Sequence, residues 1–106
     1  MDEAFNMRLI AHNDLGGFGN GGEGMSLQVT GNGRRIMWIA HEAAPINFTG
    51  VDVTDLNNLK VISQTRLPHN RVRSNSLEVT GNIMALAYQT ATHGETPAGV
   101  ELFDVA

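Results

Sequence analysis

The sequence predicts an all-β protein, and three observations support this fold class. Apolar and polar residues alternate with a period of two wherever a regular pattern is visible, as in residues 26–30, and this period is typical of a half-buried strand. The 106 residues are 42% hydrophobic and 17% charged, as in a folded globular chain. The strand pattern also occurs twice, about 50 residues apart. We therefore expect two similar groups of antiparallel strands.

The first group contains four predicted strands. Residues 26–30 lead into the turn tripeptide Gly-Asn-Gly, and the short apolar run 35–40 forms a hairpin with them. A third strand at 48–53 and a fourth at 60–67 follow, separated by an Asp-Leu-Asn-Asn stretch that favours a turn.

The second group repeats the first. Residues 76–82 match residues 26–32 with one conservative change, and residues 83–88 follow the pattern of 36–41 after a turn shortened by three residues. Residues 100–105 then align with 48–53. Self-similarity at this period, with four strands per repeat, is typical of β-propeller blades.

The residues before the first repeat supply one more predicted strand. Residues 8–12 precede it as residues 61–65 precede the second, so residues 8–24 are predicted to be a fourth strand followed by a glycine-rich loop. Residues 25–75 form a complete blade and residues 76–106 three further strands. The N-terminal strand therefore completes the C-terminal blade, directly or between copies. Because single rings need about four to eight blades, the chain either self-assembles or belongs to a longer propeller.

Two segments resemble a known repeat family. Residues 48–55 and 100–105 are similar to the L-V-I-V-D-[VI]-[ST]-D-P signature of LVIVD-repeat β-propellers, and residues 59–62 are similar to the start of the fourth strand in that family. The resemblance covers residues 26–106, with Leu56 standing where the family usually has Pro. It implies a propeller fold but no particular chemistry, since propellers include enzymes and pure binding modules.

Charge and composition narrow the expected partners and location. The net charge is −4, from 7 Lys and Arg against 11 Asp and Glu, so a nucleic-acid partner is not expected. No apolar run reaches the ~18 residues of a membrane span, and the acidic N-terminus argues against a signal peptide. We expect a soluble, cytoplasmic protein, with the periplasm left open. The absence of cysteine excludes disulfides and thiolate sites.

The four histidines are the first candidate functional residues. In a blade, His12, His41, His69 and His93 fall in or beside loops of one face, where neutral imidazoles can bind a divalent metal or transfer protons. His41 and His69 are the candidate catalytic residues. The alternative is that all four are solvated loop histidines, because their spacing carries no local metal-ligand signature. No cofactor is firmly implied.

The segment 69–75 is the second candidate. Arg71 and Arg73 alternate just before a predicted inner strand, and planar guanidinium groups suit a small acidic ligand. The predicted ligand-binding residues are His41, His69, Asn70, Arg71, Arg73 and His93. The alternative is that both arginines are structural and pair with acidic residues such as Glu42 or Glu95.

Two function classes follow. The first is a binding or assembly scaffold whose partners are copies of itself, or the remaining blades of a longer chain, and a small acidic ligand. The alternative is part of a propeller enzyme, a metal-assisted lyase or hydrolase, that uses the histidines with an arginine clamp.

Overall fold

The computed structural model describes residues 7–18 and 20–106, and its strands form two antiparallel sheets. The first sheet has the order β1-β2-β3-β4 and the second the order β5-β6-β7. The prediction of an all-β chain is thus confirmed. The strand bounds are β1 Gly21–Val29, β2 Arg35–His41, β3 Ile46–Asp52, β4 Lys60–Arg66, β5 Val72–Thr80, β6 Ile83–Thr90 and β7 Gly99–Asp104.

Glycine turns close the first hairpin of each sheet. In the β1–β2 turn, Gly33 has φ +86° and Arg34 donates its backbone N–H to Thr30 Oγ1 at 3.0 Å. Gly81 has φ +59° in the tighter β5–β6 turn. This left-handed backbone is strained for residues with a Cβ, so glycine is required at both tips.

The core lies between the two sheets, which pack face to face. The inner face of each sheet is the one directed at the other sheet. The Phe48 ring of the first sheet lies 5.9 Å from the Trp38 ring of the same sheet and 5.2 Å from the Phe103 ring of the second sheet, measured between centroids, and both contacts are edge-to-face. The buried hydrophobic residues of this core are Ile36, Trp38, Ala40, Phe48, Leu77, Met84 and Leu86.

Hydrogen bonds also join the sheets. Gln28 accepts from Trp38 Nε1 at 2.9 Å and donates its Nε2 to Val105 O at 3.0 Å. Ser26 Oγ accepts the backbone N–H of Val79 at 3.1 Å. The inward-facing Gln28 amide thus makes hydrogen bonds to groups of both sheets, which fixes how the two sheets align.

The N-terminal segment does not complete the second sheet in a single chain. Residues 8–12 form no strand, and the second sheet has three strands. Leu15 O accepts a hydrogen bond from Gln64 Nε2 at 2.7 Å, and Arg66 lies over the Phe18 ring at 5.7 Å. These contacts hold the segment beside β4 of the first sheet, so direct completion of the blade is wrong and pairing between copies stays a prediction.

Two predicted boundaries also shift. The glycine-rich stretch was expected to be a loop through Gly24, but β1 begins at Gly21. The second sheet begins at Val72 rather than Ser76, because β5 extends to nine residues. Within residues 7–18 and 20–106, no helix has the length and apolar character needed to cross a membrane.

Candidate functional site

A cavity of about 310 Å³ lies at the end of the sheets where β2 ends and β5 begins. Arg73 lies within β5 and Arg71 directly precedes it, while Gln89 stands opposite Arg73 on β6. The polar residues that line this cavity are Glu42, Asn70, Arg71, Arg73, Gln89 and Thr90. Three of the predicted ligand residues, Asn70, Arg71 and Arg73, are therefore brought together.

Both arginines of the cavity have carboxylate partners. Arg73 Nη1 lies 2.9 Å from Glu42 Oε1 of the first sheet, and Arg73 Nε donates to Gln89 Oε1 at 2.8 Å. Arg71 Nε lies 2.8 Å from Glu95 Oε1 in the β6–β7 loop. This is the pairing that the structural alternative predicts. Within the described residues, both Nη groups of Arg71 and the Nη2 group of Arg73 make no hydrogen bond, so each guanidinium retains donors for a ligand.

His41 lies outside this cavity and is fully buried at the end of β2. Its Nε2 is 2.7 Å from Thr49 Oγ1 and its Nδ1 is 3.3 Å from Asn20 Oδ1. Burial lowers the pKa of His41, because the charged imidazolium is poorly solvated there. Gln64 continues the network by donating to Thr49 Oγ1 at 3.1 Å. The contacts of His41 therefore link β2 to β3 and to the residue that directly precedes β1.

The other histidines do not gather at one site. His69 lies 2.6 Å from Thr96 O through Nε2, and its Nδ1 accepts the backbone N–H of Arg71 at 3.1 Å. His12 lines a pocket with residues 56–59 of the β3–β4 turn, at the opposite end of the sheet from His41. His93 lies in the β6–β7 loop.

The expected crowding of all four histidines is wrong, because the N-terminal segment runs beside β4 with His12 at the β3–β4 turn and Leu15 beside Gln64. In the part of the chain that the structure describes, no group of three or more His, Cys, Asp or Glu residues is placed to hold a metal ion.

A second cavity, of about 350 Å³, contains residues that the sequence did not single out as a site. Tyr88 OH donates to Glu101 Oε1 at 2.5 Å and accepts from Asn47 Nδ2 at 3.0 Å. Burial, followed by the hydrogen bond to Glu101, raises the pKa of Tyr88 to about 12. Asn47 Oδ1 and Thr65 Oγ1 are buried here without a hydrogen-bond partner among residues 7–18 and 20–106, and such atoms favour a bound water. The one sequence signal was the alignment of Tyr88 with His41.

Comparison of the chain with family models, curated proteins and solved structures finds no match. The resemblance to LVIVD-repeat propellers therefore stays a prediction from the residues that carry it.

Proposed function

We propose that this chain is a two-blade β-propeller module that self-assembles head to tail into a closed ring and acts as a binding scaffold. One observation carries the proposal. Each sheet exposes, on the face directed away from the other sheet, the same apolar sequence that the other sheet buries. We call these two faces the outer faces.

The outer face of the first sheet matches the inner face of the second. The shared motif Ser-Leu-X-Val-Thr places Leu77 and Val79 of β5 against the core, but Leu27 and Val29 of β1 point outward. Leu77 is 7% exposed and Leu27 is 48% exposed. A solvent-facing copy of a core motif favours a protein interface.

The outer face of the second sheet matches the inner face of the first. Ile83 and Ala87 of β6 stand outward, whereas the corresponding Ile36 and Ala40 of β2 are buried. Val100 and Leu102 of β7 are 66% and 68% exposed.

The matching faces also keep a similar volume. In the first sheet, Trp38 stands opposite Gly50, and a Cβ on Gly50 would lie 2.6 Å from the Trp38 ring. In the second sheet, Ala85 stands opposite Leu102 at the corresponding positions. A large and a small residue have exchanged strands, so both faces keep one bulky group at the same level.

The two outer faces are therefore complementary to each other and not to themselves. An interface between unlike surfaces repeats from copy to copy and forms a ring when the rotation closes. Residues 7–12 would then pair with β7 of the neighbouring copy. The exposure of Leu9 and Ile10, together with the three-stranded second sheet, supports this pairing.

The assembly is tested by the mass of the purified chain in light scattering. We expect a multiple of one chain for the wild type and one chain for Leu27→Glu, which places a charge in the outer face. Thr92→Glu is the control, because Thr92 is exposed in the β6–β7 loop, away from both outer faces and from the N-terminal segment, and it should assemble like the wild type. A wild-type mass of one chain at all accessible concentrations would overturn the proposal.

The cavity at Arg71 and Arg73 is the proposed binding site, and a small carboxylic acid is the proposed ligand. The free guanidinium donors support it. We expect calorimetry to show binding of succinate by the wild type and at least tenfold weaker binding by the Arg71→Gln/Arg73→Gln double variant. Arg66→Gln, outside the cavity, is the control. Equal affinity in the double variant would contradict this site.

The enzyme alternative depends on the histidines. The buried position of His41 and the backbone contacts of His69 favour the scaffold over a histidine-based lyase or hydrolase. Metal analysis of the purified protein tests the alternative, since a stoichiometric divalent metal lost in a His69→Ala variant would support it.

A further inference from the structure

We infer that copies of this chain recognise one another through opposite charges on the two outer faces, with Arg35 of one copy meeting Glu78 and Asp104 of the next. This inference rests on the proposed head-to-tail assembly and names its partner, a second copy, together with the residues that select it.

Arg35 belongs to the outer face of the first sheet. It stands directly opposite Val29 in the β1–β2 pair, and side chains of directly opposed residues share a face. The side chain is exposed, and within residues 7–18 and 20–106 it makes no salt bridge or side-chain hydrogen bond. A basic group therefore stands beside the exposed apolar surface of β1.

Glu78 and Asp104 belong to the outer face of the second sheet. Glu78 stands opposite the outward Ala85, and Asp104 stands opposite the outward Ile83. Both carboxylates are exposed, and neither forms a salt bridge within the described residues. Asp104 Oδ1 accepts the nearby backbone N–H of Ala106 at 3.0 Å.

The two charged groups lie at the same end of their sheets. Arg35 follows the β1–β2 turn, Glu78 precedes the β5–β6 turn, and Asp104 ends β7. Within the chain, these same two ends lie against each other where the sheets pack, because Gln28 of the first sheet donates to Val105 O and Gly81 O of the second. Packing a second copy with that arrangement brings the basic group of one outer face to the acidic groups of the other.

The charged outer-face residues occupy positions that are neutral or already paired at the interface between the two sheets of one chain. Within the second sheet, the backbone N–H of Val105 donates to Asn82 O, and within the first sheet that of Val53 donates to Arg35 O in the same way. Arg35 thus occupies the place of the neutral Asn82. Asp52 occupies the place of Asp104, but Arg34 pairs with it at 2.9 Å in the same chain. The interface within the chain is thereby neutral, and the open faces carry opposite charges that a second copy would neutralise.

Charge complementarity of this kind selects the partner more than it strengthens the contact. Two first-sheet outer faces would bring Arg35 to Arg35, and two second-sheet outer faces would bring carboxylates together. Both self-pairings are disfavoured, and only the head-to-tail contact joins opposite signs. The acidic and basic faces therefore favour ring growth over symmetric dimers.

The test uses two variants of the full chain, each with one sign at both faces. Arg35→Glu makes both faces acidic, and Glu78→Arg with Asp104→Asn makes both basic. Asparagine at 104 retains the side-chain oxygen that accepts from Ala106. We expect each variant alone to self-associate about tenfold or more weakly than the wild type at low salt, because like charges then face each other. An equimolar mixture should regain assembly, with both variants in equal amounts by native mass spectrometry.

The control is Asp55→Arg, which reverses a charge in the exposed β3–β4 turn and should assemble like the wild type. Rescue in the mixture shows at the same time that both variants fold. A wild-type chain that assembles while the variants also assemble unchanged, or a mixture that stays at the mass of one chain, would overturn this inference and leave the assembly proposal standing. A monomeric wild type would overturn both.

Discussion

The buried imidazole of His41 predicts a loss of stability on mild acidification. His41 is completely buried, and burial lowers its pKa from the ordinary value of 6.5. Below this pH the unfolded chain takes up a proton that the folded chain does not, so the free energy of unfolding falls as pH falls. Above about pH 7.5 the pH dependence from this group becomes small, because the unfolded imidazole is then mostly neutral.

The size of the effect follows from the pKa difference. Each pH unit between the folded and unfolded pKa values corresponds to about 1.4 kcal/mol. If the folded imidazole stays neutral, His41 lowers the free energy of unfolding by at most about 2 kcal/mol between pH 6.5 and about pH 5. The N–H and lone pair of the neutral ring are both engaged, by Asn20 and Thr49, which favours retention of the neutral form.

Urea denaturation at fixed protein concentration between pH 7.5 and pH 5 measures this slope. His41→Gln keeps a group that can hydrogen-bond to Thr49 but removes the proton uptake, so it should be less stable at pH 7.5 and flatter toward pH 5. His12→Gln removes an imidazole from the exposed N-terminal segment and serves as the matched control, with the wild-type slope. Equal slopes for the wild type and His41→Gln would refute the reasoning.

Three further predictions concern packing and charge in the first sheet. Gly50→Ala should destabilise by about 1–3 kcal/mol in thermal unfolding, because its Cβ would lie 2.6 Å from Trp38, whereas Gly31→Ala has open space and should be near neutral. Gln28→Leu should lower the free energy of unfolding by about 1–3 kcal/mol or more in the same assay, since Trp38 Nε1 and the Val105 carbonyl lose their hydrogen-bond partner. The substitution should also shift the tryptophan fluorescence. An unchanged melting temperature would contradict this prediction. Hydrogen bonds from Thr54 and from Arg34 lower the pKa of Asp52 to about 2. The wild type should therefore lose stability between about pH 4 and about pH 2, and the Asp52→Asn variant should lose less. Parallel acid-unfolding curves of the two proteins, measured by circular dichroism, would contradict this prediction.

The sequence predicted the strands well because the relevant signals are local. Alternation and the glycine turns locate β1, β2, β5 and β6 to within a few residues. The register of the hairpins was not predictable from the repeat. An offset of 50 residues aligns β1 with β5, yet Ser26 stands opposite Trp38 while Glu78 stands opposite Ala85. The turn of the second hairpin is shorter, and turn length sets register. The pairs therefore slide by two positions, an even number, so residues that share one face of the first sheet also share one face of the second.

The candidate site was predictable only in part. Arg71 and Arg73 line one cavity because both lie at the start of one strand, which a local pattern can show. The histidines depended on long-range placement. His12 is separated from its predicted position by the packing of Leu15 and Gln64, and no spacing in the sequence encodes that contact.

The N-terminal segment also determines which part of the first sheet is open to a neighbour. Over β3 and β4, the N-terminal segment covers the outer face: Leu15 is buried there, and its carbonyl accepts a hydrogen bond from Gln64. Over β1, Met25 and Leu27 remain exposed. In the proposed ring, a neighbouring copy would therefore contact β1 and β2, the strands nearest the ring axis.

The interface between the two sheets of one chain is also closest at the first strand of each sheet. A Cβ on Gly24 of β1 would lie 2.4 Å from the backbone nitrogen of Leu77 in β5, so these two strands approach most closely where glycine permits it. Gly24→Ala should therefore separate the sheets at the inner strands. Because the interface between copies is proposed to copy this arrangement, its apolar contact is expected at β1 and its charge selection at the nearby turn.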